Sequence, residues 1–267
     1  MIARSIRAEA DSPAVVIDIG NTSVHIATWS TDEVKTPLSA PTSDQKAVEA
    51  AISAHVDALP PRRQGAIVIG SVVPAALNRI NIWVKDRTGR DPLVIGKDIP
   101  LPIDVAVTDR LAIGIDRVCA AFAAYDKLQS ACAIVDFGTA VTVDIVDEEG
   151  TLLGGAILPG PGLQLRALHE HTALLPAGVV PVFPQLPYGR NTMEAMQTGV
   201  CRGVAGAVRG LVEAYATSLG RWPHVVATGG DLALMAPNCD FLDTHVDYLA
   251  LRGIGRSYTT FLRDRGA

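Results

Sequence analysis

Apolar and polar positions along the chain follow two periods in turn, which predicts alternating strands and helices. Ala14–Ile19 is a short apolar run, Gly20-Asn21-Thr22 a turn, and Val24–Trp29 a second strand. A helix is expected around Ser43–Leu59, with Ser43 as its N-cap and Pro60-Pro61 as its stop. Ala66–Ile69 reads as a buried strand. Pro74 suits the first turn of a helix that runs to Thr88 and ends at Gly89. Val94-Ile95 reads as a strand edge, and a helix over Ile115–Leu128 leads into the second half.

That half opens in the same way. Ala133–Asp136 is an apolar strand, Gly138-Thr139 the turn, and Val141–Val146 the return strand. Laid over the first half, Asp18 falls on Asp136 and Gly20 on Gly138, so each half carries Asp-x-Gly at the end of an apolar strand. Then come a strand at Thr151–Leu158, a helix at Leu163–His171, a proline-rich connector at Pro176–Pro187 and a long helix at Thr192–Leu219. A strand at Val225–Ala227, a Gly229-Gly230 turn and a final helix complete the chain. The repeat implies a duplicated α/β protein, each half a sheet flanked by helices. We expect an N-terminal extension over 1–12, a first domain over 13–127 and a second over 128–267.

Composition narrows the class. With 48% hydrophobic and 19% charged residues, the chain reads as globular rather than disordered. A net charge of -5 with no stripe of Lys and Arg argues against a nucleic-acid partner. Neither a secretory leader nor a membrane-length apolar run is evident, so a cytoplasmic location is expected. Cys119, Cys132, Cys201 and Cys239 are scattered singly, which suits buried thiols better than zinc or disulfides.

The Asp-x-Gly turns carry the chemistry. Glycine at a bend lets backbone N–H groups approach an anion, and Asn21, Thr22 and Thr139 add side-chain donors. A carboxylate so close to phosphate repels it, so Asp18 and Asp136 imply a cation between them and a nucleotide. A tight hairpin explains one such turn equally well; two at matched positions favour function. Thr228-Gly229-Gly230 follows a strand, where it suits either an adenosine contact or a plain turn. The P-loop, the dinucleotide fingerprint and the protein-kinase motif set are all missing.

Asp18-Ile-Gly-Asn-Thr22 resembles the first phosphate motif of the acetate kinase, sugar kinase, Hsp70 and actin superfamily. Asp136-Phe-Gly-Thr-Ala-Val-Thr-Val-Asp144 is similar to its second phosphate motif, and Thr228-Gly-Gly230 to its adenosine motif. Within it, Ser71–Pro74, Gly114–Arg117, Gly154–Gly160 and Gly189–Thr192 resemble segments of type III pantothenate kinases, in the same order. The resemblance implies duplicated actin-like (ribonuclease H-like) domains with mixed sheets and an active cleft between them. It implies ATP-dependent phosphorylation of pantothenate to 4′-phosphopantothenate, the first step of coenzyme A biosynthesis, with Mg2+ and a monovalent K+ or NH4+.

By the same resemblance, Asp18, Ile19, Gly20, Asn21, Thr22, Ser23, Val24 and His25 line the ATP phosphates. Thr139, Gly229 and Gly230 also contact ATP, and Asp136 holds the monovalent cation. Gly114, Ile115, Asp116 and Arg117 hold pantothenate, with Asp116 as general base, and Thr192 contacts it across a homodimer interface. On residue chemistry alone, Asp116-Arg117 equally suits a structural helix start, and Asn191 or Thr192 a helix cap. Two departures stand out. His25 occupies the usual place of a Lys, and Asp104–Ile113 lacks the Tyr that family members commonly carry there. A histidine, with a reference pKa near 6.5, predicts weaker or more pH-dependent ATP binding. The alternatives are another kinase or phosphatase of the superfamily with a different small substrate, and a non-catalytic metabolite-sensing regulator.

Overall fold

A computed structural model describes residues 12–60, 65–108 and 113–266, so nearly all of the expected extension over 1–12 lies outside the described residues. The chain divides into two compact units. One runs up to Asp126 and resumes from Tyr248 onward; the other is Lys127–Asp247.

The first unit contains β1 (Ala14–Ile19), β2 (Ser23–Ser30), β3 (Glu33–Pro41), α1 (Gln45–Val56), β4 (Ala66–Ser71) and α2 (Pro74–Thr88). After them come β5 (Leu93–Val94), β6 (Asp104–Val105) and α3 (Ile115–Leu128), along which the division between the units falls, after Asp126. The sheet order is β3-β2-β1-β4-β5, antiparallel on the β2 side of β1 and parallel on the β4 side. All of β1 is buried because both faces are covered, which is why its sequence is apolar without alternation. Val15, Ile17 and Ile19 pack with residues of α1 and α2, while Ala14 and Val16 pack on the opposite face. Asp18 continues that opposite row by the two-residue period of the strand. Asp44, not Ser43, caps α1: its side chain accepts the Ala47 N–H at 3.0 Å. Pro74 opens α2, and Gly89, at φ 60°, ends it as expected.

The second unit repeats this plan. It holds β7 (Cys132–Phe137), β8 (Ala140–Val146), β9 (Thr151–Pro159), α4 (Pro161–Glu170), α5 (Thr192–Leu219), β10 (His224–Thr228), α6 (Leu232–Met235) and β11 (Thr244–His245). Its strands run β9-β8-β7-β10-β11, again with an antiparallel hairpin on one side of the central strand and parallel neighbours on the other. Strand for strand, β7 stands where β1 does. The duplication seen in the sequence is thus a duplication of topology.

The units differ from the expected 13–127 and 128–267 in the C-terminal helix, α7 (Leu249–Asp264), which belongs to the first. Its Leu251, Ile254, Tyr258, Phe261 and Leu262 share a core with Val16, Trp29 and Cys119. Two glycines allow the close approach. A Cβ on Gly253 would stand 1.9 Å from the Cys119 carbonyl oxygen, and one on Gly255 would stand 2.2 Å from the Trp29 ring. Trp29 Nε1–H donates to Thr259 Oγ1 at 2.9 Å in the interior. The four cysteines are free and buried. Among the described residues no helix is long and apolar enough to cross a membrane.

Candidate active site

In the first unit the candidate residues gather at the carboxyl ends of β1 and β4, where open α/β sheets bind ligands. The Gly20 N–H donates to Ser23 O at 3.0 Å, closing the turn, and Thr42 braces it by donating its hydroxyl to Gly20 O at 2.7 Å. Asn21 and Thr22 are exposed at the tip. Ile19 and Val24 are fully buried, so they offer a ligand only their backbone. Asp18 pairs in register with His25 on one side and Gly70 on the other. Gly70 leaves room there for α3 and α7: a Cβ on it would stand 2.8 Å from Ile254 and 3.2 Å from Ile115.

The start of α3 lies on the same side of this sheet. Asp116 Oδ1 accepts the Arg117 N–H at 2.8 Å, folding the carboxylate back over Gly114. A Cβ on residue 114 would stand 2.4 Å from that oxygen, so any other residue there would push the carboxylate out of this position. Burial pushes the Asp116 pKa up, opposed by the Arg117 N–H and guanidinium. One turn later the wholly buried Cys119 thiol is pushed well up, first by burial and then by the charges of Asp18 and Asp116. Both carboxylates therefore act on one buried spot. His25 is half-buried, and burial pushes its pKa down.

The second unit builds its counterpart from three glycine turns. The Gly138 N–H donates to Ala140 O at 3.2 Å, and the Gly160 N–H to Thr139 O at 2.9 Å. Asp136 pairs with Thr228 across β7 and β10, which brings Gly229 against it. A Cβ on Gly229 would stand 2.4 Å from Asp136 Oδ1 and from Phe137 O, and its φ of 108° suits glycine alone. A Cβ on Gly160 would stand 2.0 Å from Gly138 O. The Gly138-Thr139 turn, the Gly229-Gly230 turn and Gly160 thus form one tightly nested cluster. Thr139 and Gly230 are exposed at its surface.

The type III pantothenate kinase family matches residues 14–214 of the chain. A type III pantothenate kinase from Rhodospirillum rubrum is 34% identical over 246 residues, covering 90% of this chain and 95% of that protein. One from Syntrophobacter fumaroxidans is 35% identical over 190 residues, covering 71% and 74%. This chain belongs to the type III pantothenate kinase family. Its fold is also that of Ta0583, an archaeal actin homolog, with a TM-score of 0.52 at 9% identity, covering 92% of this chain and 99% of that one. The actin-like fold expected from the motifs is therefore the fold of the molecule.

Among members of the type III pantothenate kinase family, then, this chain gathers Asp18, His25 and Gly114–Arg117 in one unit and Asp136, Thr139, Gly229 and Gly230 in the other. Neither cluster of contacts includes Thr192, which is exposed at the first position of α5. The cap there is Asn191, whose Oδ1 accepts the Glu194 N–H at 3.0 Å, while Glu194 Oε2 accepts the Arg190 N–H at 2.7 Å. The Thr192 hydroxyl is not needed as the cap. Sequence reading passed over Thr42, Gly70 and Gly160 as site residues. Gly70, at the end of an apolar strand, carried a signal; Thr42, which acts through long-range hydrogen bonds to Gly20 O and Thr22 O, carried none. Among the described residues no group of three or more His, Cys, Asp and Glu could hold a metal.

Proposed function

We propose that the chain transfers the γ-phosphoryl group of ATP to the hydroxyl of pantothenate, with Asp116 as general base, and so feeds coenzyme A synthesis. The observation that carries this is the Asp116 carboxylate. It is held in place over Gly114 beside Arg117, on the sheet face that also carries Asp18, with its pKa raised toward the working range of a base. The acceptor oxygen attacks the γ-phosphorus, the bond from that phosphorus to the β,γ-bridging oxygen breaks, and ADP leaves. The acceptor's proton goes to Asp116. Phosphoryl transfer demands positioning and charge neutralisation above all, and Arg117 suits both.

In this reading the Asp18–His25 turn, Thr139, Gly229 and Gly230 bind ATP. A divalent cation, when bound, neutralises the phosphate charge that Asp18 would otherwise repel. Asp136, which lies beside Gly229, would hold the monovalent cation. Gly114, Ile115 and Arg117 hold pantothenate together with the partner subunit's Thr192.

The homodimer has its own support. Gly199, Gly203, Gly206 and Gly210 recur at three- and four-residue steps along one exposed face of α5, which Thr192 shares. An added Cβ would meet nothing within 4 Å at any of the four. Each costs a helix interior about 1 kcal/mol relative to Ala. A face stripped of side chains lets a second backbone come close, which offsets that cost.

A coupled assay with ATP, Mg2+, K+ and pantothenate tests the reading. Pantothenate-dependent ADP release is expected, lowered by about 10²–10⁴-fold in Asp116→Asn. ADP release that ignores pantothenate, or an undiminished variant, refutes it.

A further inference from the structure

Three strands set Asp18, His25 and Ser39 side by side. Asp18 pairs with His25, and His25 with Ser39, so the three side chains stand on one face of the sheet. His25 Nδ1 lies 2.6 Å from Ser39 Oγ. On another side, the Tyr248 ring meets the imidazole edge-on, with centroids 5.9 Å apart and planes at 68°. Tyr248 itself is held at φ 54° just before α7. The imidazole is therefore oriented by groups from two elements, β3 and the start of α7.

Burial pushes the His25 pKa down, so the ring is neutral near pH 7. A neutral imidazole carries one N–H, on either Nδ1 or Nε2. An ionised phosphate oxygen only accepts hydrogen bonds. With the proton on Nδ1, the nitrogen turned away from Ser39 would meet phosphate with a lone pair and repel it. With the proton on Nε2, the same ring becomes a donor without carrying charge.

We propose that Ser39 is a positioning residue: its hydroxyl donates to His25 Nδ1 and holds the neutral ring as the Nε2–H tautomer, a hydrogen-bond donor to the nucleotide phosphates. The inference rests on the Asp18–His25 turn being the ATP phosphate site. It assigns a role to a residue outside that motif, and it gives the turn a polar contact that does not depend on a fixed positive charge.

The test pairs a spectroscopic readout with a binding one. Long-range 1H–15N correlation at pH 7.5 reports the His25 tautomer, and calorimetry with ATP and Mg2+, without pantothenate, reports affinity. Wild type is expected to show Nε2 protonated and Nδ1 bare. In Ser39→Ala the tautomers mix and ATP binds more weakly, by on the order of threefold to tenfold for one lost hydrogen bond. Ser39→Thr restores both readouts, and Ser39→Ala adds nothing in a His25→Ala background. Wild type with Nδ1 protonated, or a Ser39→Ala variant equal to wild type in ATP affinity, overturns the role of Ser39 while leaving the phosphate site standing. A protein that shows the expected tautomer but binds no ATP overturns the phosphate site and this role with it.

Discussion

Replacing Gly229 with alanine is expected to destabilise the fold by about 4 kcal/mol, whereas the same change at Gly230 stays within about 0.5 kcal/mol. Two effects combine at Gly229. An L-residue at φ 108° is strained by about 1–3 kcal/mol. The new Cβ would also stand 2.4 Å from both Asp136 Oδ1 and the Phe137 carbonyl oxygen, and Phe137 is fully buried in a close-packed core. Forcing a methyl group into such packing costs about 1–3 kcal/mol more. At Gly230 a Cβ meets nothing within 4 Å, and no positive φ constrains it. Urea unfolding of the two variants beside wild type measures the difference. The change at 229 also displaces the Asp136 carboxylate, so turnover is expected to fall with stability. Equal midpoints for the two variants would refute the claim that the Gly229-Gly230 turn is built directly on Asp136.

Further predictions follow from packing and protonation. In Thr259→Val the buried Trp29 N–H loses its acceptor, and a loss of about 1–3 kcal/mol is expected in denaturant titration. His55 is buried against Thr28, and burial lowers its pKa despite an opposing backbone contact with Thr36. The unfolded chain therefore takes up that proton at higher pH than the folded one. The His55 contribution to stability is complete above about pH 6.5 and is lost as pH falls toward the lowered folded value. His55→Gln should flatten the stability curve on that side; an unchanged slope counts against it. Alanine at Gly199, Gly203, Gly206 and Gly210 together should weaken the proposed dimer in sedimentation experiments. If that face is bare to solvent, the same change should instead stabilise the monomer by about 3–4 kcal/mol.

Much of the fold was legible because burial leaves a mark on composition. β1 and β7 are covered on both faces, so their residues are apolar without interruption, and the acidic residue near each end is conspicuous. β3 left no such mark. Most of its residues are exposed, it contains Pro37, and its hairpin turn is Thr31-Asp32 at φ 53° and 57° rather than the usual Asn-Gly. The α1 cap was misplaced by one residue, since Ser43 and Asp44 have equal chemical claim and only geometry chooses. At the candidate site, the turns themselves were readable from glycine and aspartate. What glycine accommodates was not: Gly114 under its own Asp116, or Gly229 against Asp136, depends on a distance that no spacing encodes. The Ser39–His25 contact escaped for the same reason, because cross-strand register pairs residues that lie far apart in the chain.

The return of α7 to the first sheet orders events at the ribosome. Lys127–Asp247 is continuous and emerges whole, whereas the core around Val16 and Trp29 waits for Leu251, Ile254 and Tyr258. The continuous unit thus has its whole sequence available first, and this face of the earlier one closes only once α7 has been made. A nascent chain arrested before Tyr248 would hold that apolar face open to chaperones, with α3 already made but the scaffold against which it packs unfinished.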